Sequence, residues 1–138
     1  MPKSIAQRAG LLFVILLFAG SGTLHFIVTD LFASIIPPSL PLRREAVYIS
    51  GACELAGALG LCLPHWRRPA GIGLFLLTIV VTPASFYMWL SADLFSRVAP
   101  SLLFWRLPLQ LVLLAIIWGV AIAPAGNSDA VPRRAAET

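Results

Sequence analysis

A single carboxylate, Glu54, lies within an apolar stretch that runs from residue 47 to residue 63. A stretch of this length and composition is typical of a membrane-spanning helix. A carboxylate in the hydrocarbon of a bilayer costs about 2.5–3.5 kcal/mol on insertion scales, so it must be neutral, paired or facing a polar cavity. Other apolar stretches of the chain supply an imidazole, a guanidinium and an amide as candidate partners: His25, Arg106 and Gln110.

These four side chains could support two kinds of role. Glu54 and Arg106 could bind a polar headgroup or a quinone oxygen, while His25 could exchange protons near neutral pH. Alternatively, Glu54 and Arg106 could form a structural ion pair that fixes the helix register. In that case His25 would make a hydrogen bond near a helix end, and Gln110 would join two helices. The residue types leave both interpretations open.

Position along the predicted helices places the four side chains in one half of the bilayer. At about 1.5 Å per residue, Glu54 and Gln110 lie about 12 and about 13 Å from the outer surface, and Arg106 and His25 about 7 and about 5 Å. Residues four apart share a helix face, which predicts one polar stripe on each helix: Ser21, His25 and Thr29; Ser50 and Glu54; Thr78, Thr82 and Ser85; Arg106 and Gln110. We therefore predict a polar pocket in the outer half of the bilayer.

Six residues make up this predicted pocket, and none of them is assigned a catalytic role: His25, Glu54, Ser85, Tyr87, Arg106 and Gln110. Tyr87 belongs to a group of aromatic residues on the same side of the membrane. Such a group suits an interfacial belt, or equally the wall of a pocket for a flat ring.

The composition predicts an integral membrane protein. Of the 138 residues, 59% are hydrophobic and only 12% are charged, whereas soluble domains carry about 25% charged residues. The net charge of +4 does not indicate a nucleic-acid partner, because the basic residues stand mostly in pairs at the ends of apolar stretches. This arrangement is the one that membrane topology requires.

The predicted fold is all-α, an integral membrane four-helix bundle with spans at about 9–28, 46–63, 69–90 and 101–123. These spans form one domain, 1–125, followed by a polar tail, 126–138, that is predicted to be disordered. Six basic residues flank one side of the spans and three flank the other: Lys3, Arg8, Arg67, Arg68, Arg133 and Arg134 against Arg43, Arg44 and Arg97. This bias predicts both termini in the cytoplasm of a multi-pass protein of the plasma or inner membrane.

Two further segments carry structural predictions. Residues 30–42 are apolar but contain Pro37, Pro38 and Pro41, so they cannot form a continuous helix and are predicted to rest at the interface or to fold back as a lid. Small residues recur every four positions at Ala52, Ala56 and Gly60. Such a strip permits close helix approach, here favoured within the bundle, with a dimer as the alternative.

The residue inventory does not predict a complete oxidoreductase. The two His and two Cys residues lack the spacing of a metal site. No glycine-rich nucleotide-binding motif follows a strand. Cys53 and Cys62, nine residues apart on one helix, point to opposite faces and cannot form a disulfide with each other.

Several strings, taken in order, resemble the DoxX-like membrane protein family: AGSGTLHF at 19–26, IIPPSLP at 35–41, YISGACELAGALG at 48–60, PASFYM at 83–88 and RLPLQ at 106–110. Ser85 departs from the resemblance, since many relatives are expected to have Asn there. The resemblance implies a four-helix membrane bundle. Some DoxX-like proteins are linked to quinone-coupled sulfur oxidation or to membrane-bound oxidoreductase complexes, and more distant relatives assist the assembly of membrane proteins.

The sequence thus predicts an accessory or ligand-binding membrane subunit with quinone as the candidate ligand. The alternative is an assembly factor or chaperone that binds a partner's transmembrane helix. The predicted partners are the lipid bilayer, a redox or other membrane protein and, alternatively, a second copy of the chain. A small-solute transporter is a third alternative, although no clear inverted repeat is found.

Overall fold

The computed structural model describes residues 4–94 and 100–123, which form helices joined by short connections. The helices are α1 (Ile5–Ile27), α2 (Thr29–Ser34), α3 (Arg43–Cys62), α4 (Arg67–Leu90) and α5 (Pro100–Ile117). A 3-10 turn, Ala92–Leu94, follows α4, and a π-helical turn, Trp118–Ile122, continues α5. The predicted tail, 126–138, lies outside the described residues, as do Lys3, Arg97, Arg133 and Arg134 of the charge count.

The prediction of an all-helical chain with four candidate membrane spans is confirmed. Ile5–Ile27, Arg43–Cys62, Arg67–Leu90 and Phe104–Ile122 are long and apolar enough to cross a membrane. The first three begin two to four residues before the predicted spans, because polar residues occupy their first turns. At the start of α1, the Gln7 amide donates to the Ser4 hydroxyl (3.1 Å) and the Ser4 amide donates to the Gln7 side chain (3.4 Å). This capping box satisfies two helix-end amides.

Large apolar side chains cover the outside of the four long helices. Eight examples are each more than half exposed: Leu12, Leu16, Ile49, Leu59, Leu76, Val80, Leu109 and Leu111. Soluble proteins rarely expose contiguous apolar surface of this extent, so the exposed surface of the bundle matches a lipid solvent better than water.

The four long helices pack in chain order, α1 on α3, α3 on α4 and α4 on α5, and the π-helical turn also contacts α1 and α4. One half of the bundle holds an apolar core made of Leu11, Val14, Phe18, Ala58, Leu61, Leu74, Ile117, Ala121 and Ile122. The buried polar residues occupy the middle and the other half of the bundle: His25, Thr29, Glu54, Thr78 and Ser85. We call the half that carries α2 the lid end.

The helices α1 and α3 come into close contact at Gly22 and Gly51. A Cβ atom added to Gly22 would lie 2.9 Å from the Gly51 carbonyl oxygen and 3.1 Å from the Glu54 Cβ. A Cβ atom added to Gly51 would lie 2.6 Å from the Cβ of His25. Only glycine fits at these two positions, and the crossing brings His25 of α1 close to Glu54 of α3.

The predicted strip of small residues on α3 is not the strip that packs. Ala52 and Ala56 are exposed, whereas Gly60 lies against α4, where an added Cβ would be 2.6 Å from the Ala70 Cβ. The difference arises because four-residue spacing identifies a face of a helix but not the direction in which that face points.

The segment between α1 and α3 folds back over the bundle, as the lid alternative predicted. The Thr29 hydroxyl donates to the His25 carbonyl (2.8 Å) and so satisfies the end of α1. The short helix α2 ends at Ser34, before the prolines. Leu42 then adopts a left-handed conformation (φ 57°) that turns the chain into α3, and Arg44 pairs with Asp30 at 3.1 Å. We call residues 29–42 the lid segment.

The α1–α3 crossing yields a stability prediction. We expect Gly22→Ala to lower the free energy of unfolding by about 1–3 kcal/mol, since its new methyl group meets backbone that cannot yield. Gly20→Ala is the matched control, because a Cβ at Gly20 has nothing within 4 Å. Denaturant titration of both variants in detergent micelles measures the difference. Equal stabilities for the two variants would contradict the close crossing.

Candidate functional site

His25 belongs to α1 and lies against α3 and the lid segment. Its Nδ1 lies 2.8 Å from the Ser21 carbonyl oxygen. A carbonyl can only accept, so Nδ1 carries a hydrogen. The same nitrogen lies 3.8 Å from Glu54 Oε2, within ion-pair range but too far for a hydrogen bond. The imidazole also stacks on Phe32 of α2, with ring centroids 4.0 Å apart. The His25 side chain therefore contacts the lid segment and lies near the Glu54 carboxylate.

Glu54 is buried, with only 7% of its surface exposed. Its Oε2 has no hydrogen-bond partner among the described residues, although the Ser21 side chain lies beside the carboxylate. A buried polar atom without a partner costs about 1–3 kcal/mol. The carboxylate therefore has capacity to bind a group that enters the adjoining space.

Arg106 borders the same space without touching Glu54. Both side chains are described, and no Arg106 nitrogen comes within 4.0 Å of a Glu54 oxygen, so the alternative of a direct ion pair is not seen. The guanidinium makes a weak contact, from Nη1 to the Met88 sulfur at 3.6 Å. Because a guanidinium carries five N–H donors, most of its donors are available to a ligand.

Gln110 lies one turn from Arg106 and has a different role. Its Nε2 donates to the Thr78 carbonyl and to the Thr82 hydroxyl, both at 2.7 Å. These bonds join α5 to α4 just before Pro83, whose ring removes one backbone donor from α4. Gln110 therefore makes hydrogen bonds between two helices, as its structural interpretation predicted.

Two cavities meet at these residues. The lid cavity, of about 540 Å³, lies beneath the lid segment and is bordered by His25, Phe32 and Pro37, among others. The second cavity, of about 400 Å³, runs between α1 and α5 and is bordered by Leu17, Val112 and other apolar residues. We call it the α1–α5 cleft. Both cavities are bordered by Ser21, Glu54, Leu77, Val81 and Arg106.

The boundary between the two cavities thus carries three polar side chains, Ser21, Glu54 and Arg106, which we call the polar waist. Apolar residues dominate the walls on both sides of it. This arrangement suits a molecule that presents one polar group between two apolar parts. Ligand sites in proteins commonly combine apolar walls with a few convergent polar groups.

The structure gathers four of the six predicted pocket residues. Glu54 and Arg106 border both cavities, His25 borders the lid cavity, and Gln110 borders the α1–α5 cleft. Ser85 is almost fully buried, at 2% exposure, but borders neither cavity, and its hydroxyl has no hydrogen-bond partner among the described residues. Tyr87 is half-buried and also borders neither cavity.

The sequence stripes included Ser21, but its place in the waist depends on a contact between helices. The apolar walls of the cleft carry no polar signal, so composition alone could not single them out. Phe32 lies in the predicted lid, and its stacking on His25 is visible only in the folded chain. Among the described residues, no group of three His, Cys, Asp or Glu side chains could hold a metal ion.

A family model described as "Domain of unknown function (DUF8561)" matches residues 14–122. The chain belongs to this family. No curated protein and no solved structure matches the chain. The family match includes all four residues that gather at the cavities but assigns them no function, and the resemblance to DoxX-like proteins remains a prediction.

The contact of Gln110 with Thr82 yields a second prediction. In a double-mutant cycle of Gln110→Leu and Thr82→Val, we expect a coupling energy of about 0.6 kcal/mol, up to about 1.7, as for other hydrogen bonds between transmembrane helices. The measurement is the free energy of unfolding in micelles. A cycle of Gln110→Leu with Thr23→Val is the control, because the Thr23 hydroxyl bonds only within α1. Coupling of equal size in both cycles would contradict the hydrogen bond between Gln110 and Thr82.

Proposed function

We propose that the protein is a multi-pass protein of the plasma or inner membrane that binds a quinone at the polar waist. The observation that carries this proposal is that Glu54 and Arg106 border one cavity without pairing with each other. A buried carboxylate and a guanidinium are costly in a membrane unless they serve a polar partner. A ligand that brings an acceptor for Arg106 and a group able to bond Glu54 would meet both needs.

Charge and shape favour a neutral, flat ligand. The waist combines one guanidinium and one carboxylate, so it offers no excess charge to hold an anion such as a fatty acid. The stacked rings of His25 and Phe32 border the lid cavity. They form a wall that is suited to another flat ring. A quinone ring has carbonyl oxygens that can accept from Arg106, and its reduced form has hydroxyl groups that can donate to Glu54.

The proposed role is that of an accessory or ligand-binding subunit. In a redox role, electrons would come from a partner membrane protein or pass directly through the quinone. The DoxX-like resemblance supports this proposal, because some of those proteins belong to membrane-bound oxidoreductase complexes. The subunit could act as one copy or as a homodimer.

An assembly role is the alternative proposal, and the open α1–α5 cleft favours it. Its rim carries large exposed apolar side chains, including Phe13, Leu109 and Val112. Helices in a membrane associate by van der Waals packing and hydrogen bonds. A partner's transmembrane helix could therefore lie along this cleft and use the polar waist as an anchor.

The ligand proposal is tested by binding a benzoquinone with a two-isoprene tail, in its oxidised form and in its reduced hydroquinone form, to the protein in nanodiscs. Because hydrogen bonds to charged groups contribute about 1.5–3 kcal/mol, Arg106→Gln should weaken binding of both forms, and Glu54→Gln should weaken binding of the hydroquinone, each by about tenfold or more. Glu45→Gln and Arg43→Gln are matched controls, since both residues are exposed at the start of α3. Thermal unfolding of each variant shows whether the fold persists.

Native mass spectrometry of the gently released protein separates the two proposals. A co-purified quinone that is lost in Arg106→Gln supports the ligand role. A co-purified polypeptide, together with the absence of quinone binding, supports the assembly role. Unchanged quinone binding in both waist variants would remove Glu54 and Arg106 from the site.

The proposed orientation places both termini and the α3–α4 connection in the cytoplasm. We expect the Ser39→Cys variant to react with a membrane-impermeant maleimide in intact cells, and the His65→Cys variant to react only after lysis. Both positions are exposed, and both variants are made after Cys53→Ala and Cys62→Ala. The reverse labelling pattern would invert the topology.

A further inference from the structure

The α1–α5 cleft is open on the side that would face lipid. Its rim consists of large apolar side chains from both helices, Phe13 and Leu17 on α1 and Leu109 and Val112 on α5, each more than a third exposed. Its floor is more deeply buried and includes Phe18. α1 and α5 make few direct contacts compared with the α1–α3 and α4–α5 pairs, so a slot remains between them.

This slot leads to the polar waist. Along α1 it extends from Phe13 to Ser21, eight residues, or about 12 Å. Ser21 then borders both the cleft and the lid cavity. A chain that enters sideways from the hydrocarbon can thus lie against apolar side chains until its polar end meets Glu54 and Arg106.

The lid cavity has a different character. The lid segment lies over it, and Phe32, Ile35 and Pro37 border it from that side. Its volume of about 540 Å³ is within the usual range of small-molecule sites, about 300–1,000 Å³. The stacked His25 and Phe32 rings make it suited to a flat head group, whereas the cleft is suited to a flexible chain.

We infer that the ligand is a prenylated quinone whose isoprenoid tail lies in the α1–α5 cleft while its ring lies in the lid cavity, so that it enters laterally from the bilayer. The inference rests on the proposed function and adds the position of the tail. The two cavities and the polar waist between them supply one place each for the tail, the ring and the ring oxygens.

The tail does not have to increase the affinity for this inference to hold. Lipid chains are as apolar as leucine, so moving a tail from the bilayer into the cleft brings packing contacts but little hydrophobic gain. The discriminating effect is therefore steric. Filling the cleft should exclude a tailed quinone and leave the same ring without a tail unaffected.

The experiment compares two benzoquinones of identical ring substitution, one without a tail and one with a long isoprenoid tail. Both are titrated against the full chain in nanodiscs, and their concentrations are expressed as mole fractions in the lipid. The blocking variants are Val112→Trp and Leu17→Trp, one from each wall of the cleft. Leu111→Trp and Leu16→Trp are their matched controls, because these neighbouring residues are exposed but do not border the cleft.

We expect each blocking variant to weaken binding of the tailed quinone by about tenfold and to leave the tailless ring within about twofold. Neither control should change either affinity. Unchanged binding of the tailed quinone in both blocking variants, or equal weakening of both quinones, would overturn the placement of the tail while the proposed function stands. If neither quinone binds the unaltered protein, both the placement and the proposed function fail.

Discussion

The close crossing of α1 and α3 is the contact on which the site depends. Two glycines, Gly22 and Gly51, remove the side chains that would otherwise hold these helices apart, so backbone meets backbone. Without that approach, His25 could not lie 3.8 Å from a carboxylate on the neighbouring helix, and Ser21 could not border the same cavities. A charged group in an apolar bundle needs polar neighbours, and this crossing provides them at a fixed distance.

The bundle combines a packed apolar core with open space bordered by polar side chains. The half that contains Leu61, Leu74 and Ile117 is filled by apolar side chains and holds the four helices together. Open space lies at the lid end and along the α1–α5 cleft, and Glu54 and Arg106 border both cavities. The hydrogen bonds of Gln110 to α4 hold α5 in place beside this space, so α5 can leave a cleft toward α1 without separating from the bundle.

The sequence predictions succeed or fail according to the information that a helical sequence carries about position and rotation. Position along a span predicts depth, and the four residues predicted to lie in one half of the bilayer, His25, Glu54, Arg106 and Gln110, border two adjoining cavities. Depth does not predict how each helix is rotated about its own axis. For this reason Ser85 and Tyr87, at a suitable depth, border neither cavity, and Ala52 and Ala56 face outward.

The sequence by itself determined the helical fold class, the number of long apolar helices and the presence of a carboxylate within one of them. These properties follow from hydropathy, because each is a sum over neighbouring residues. Only the tertiary structure decided that Glu54 and Arg106 share a cavity without touching, that Gln110 bonds to α4, and that the polar waist separates a lidded cavity from an open cleft. Those features depend on distances between helices, which are set by side-chain volumes at crossings such as Gly22 and Gly51, far apart in the chain.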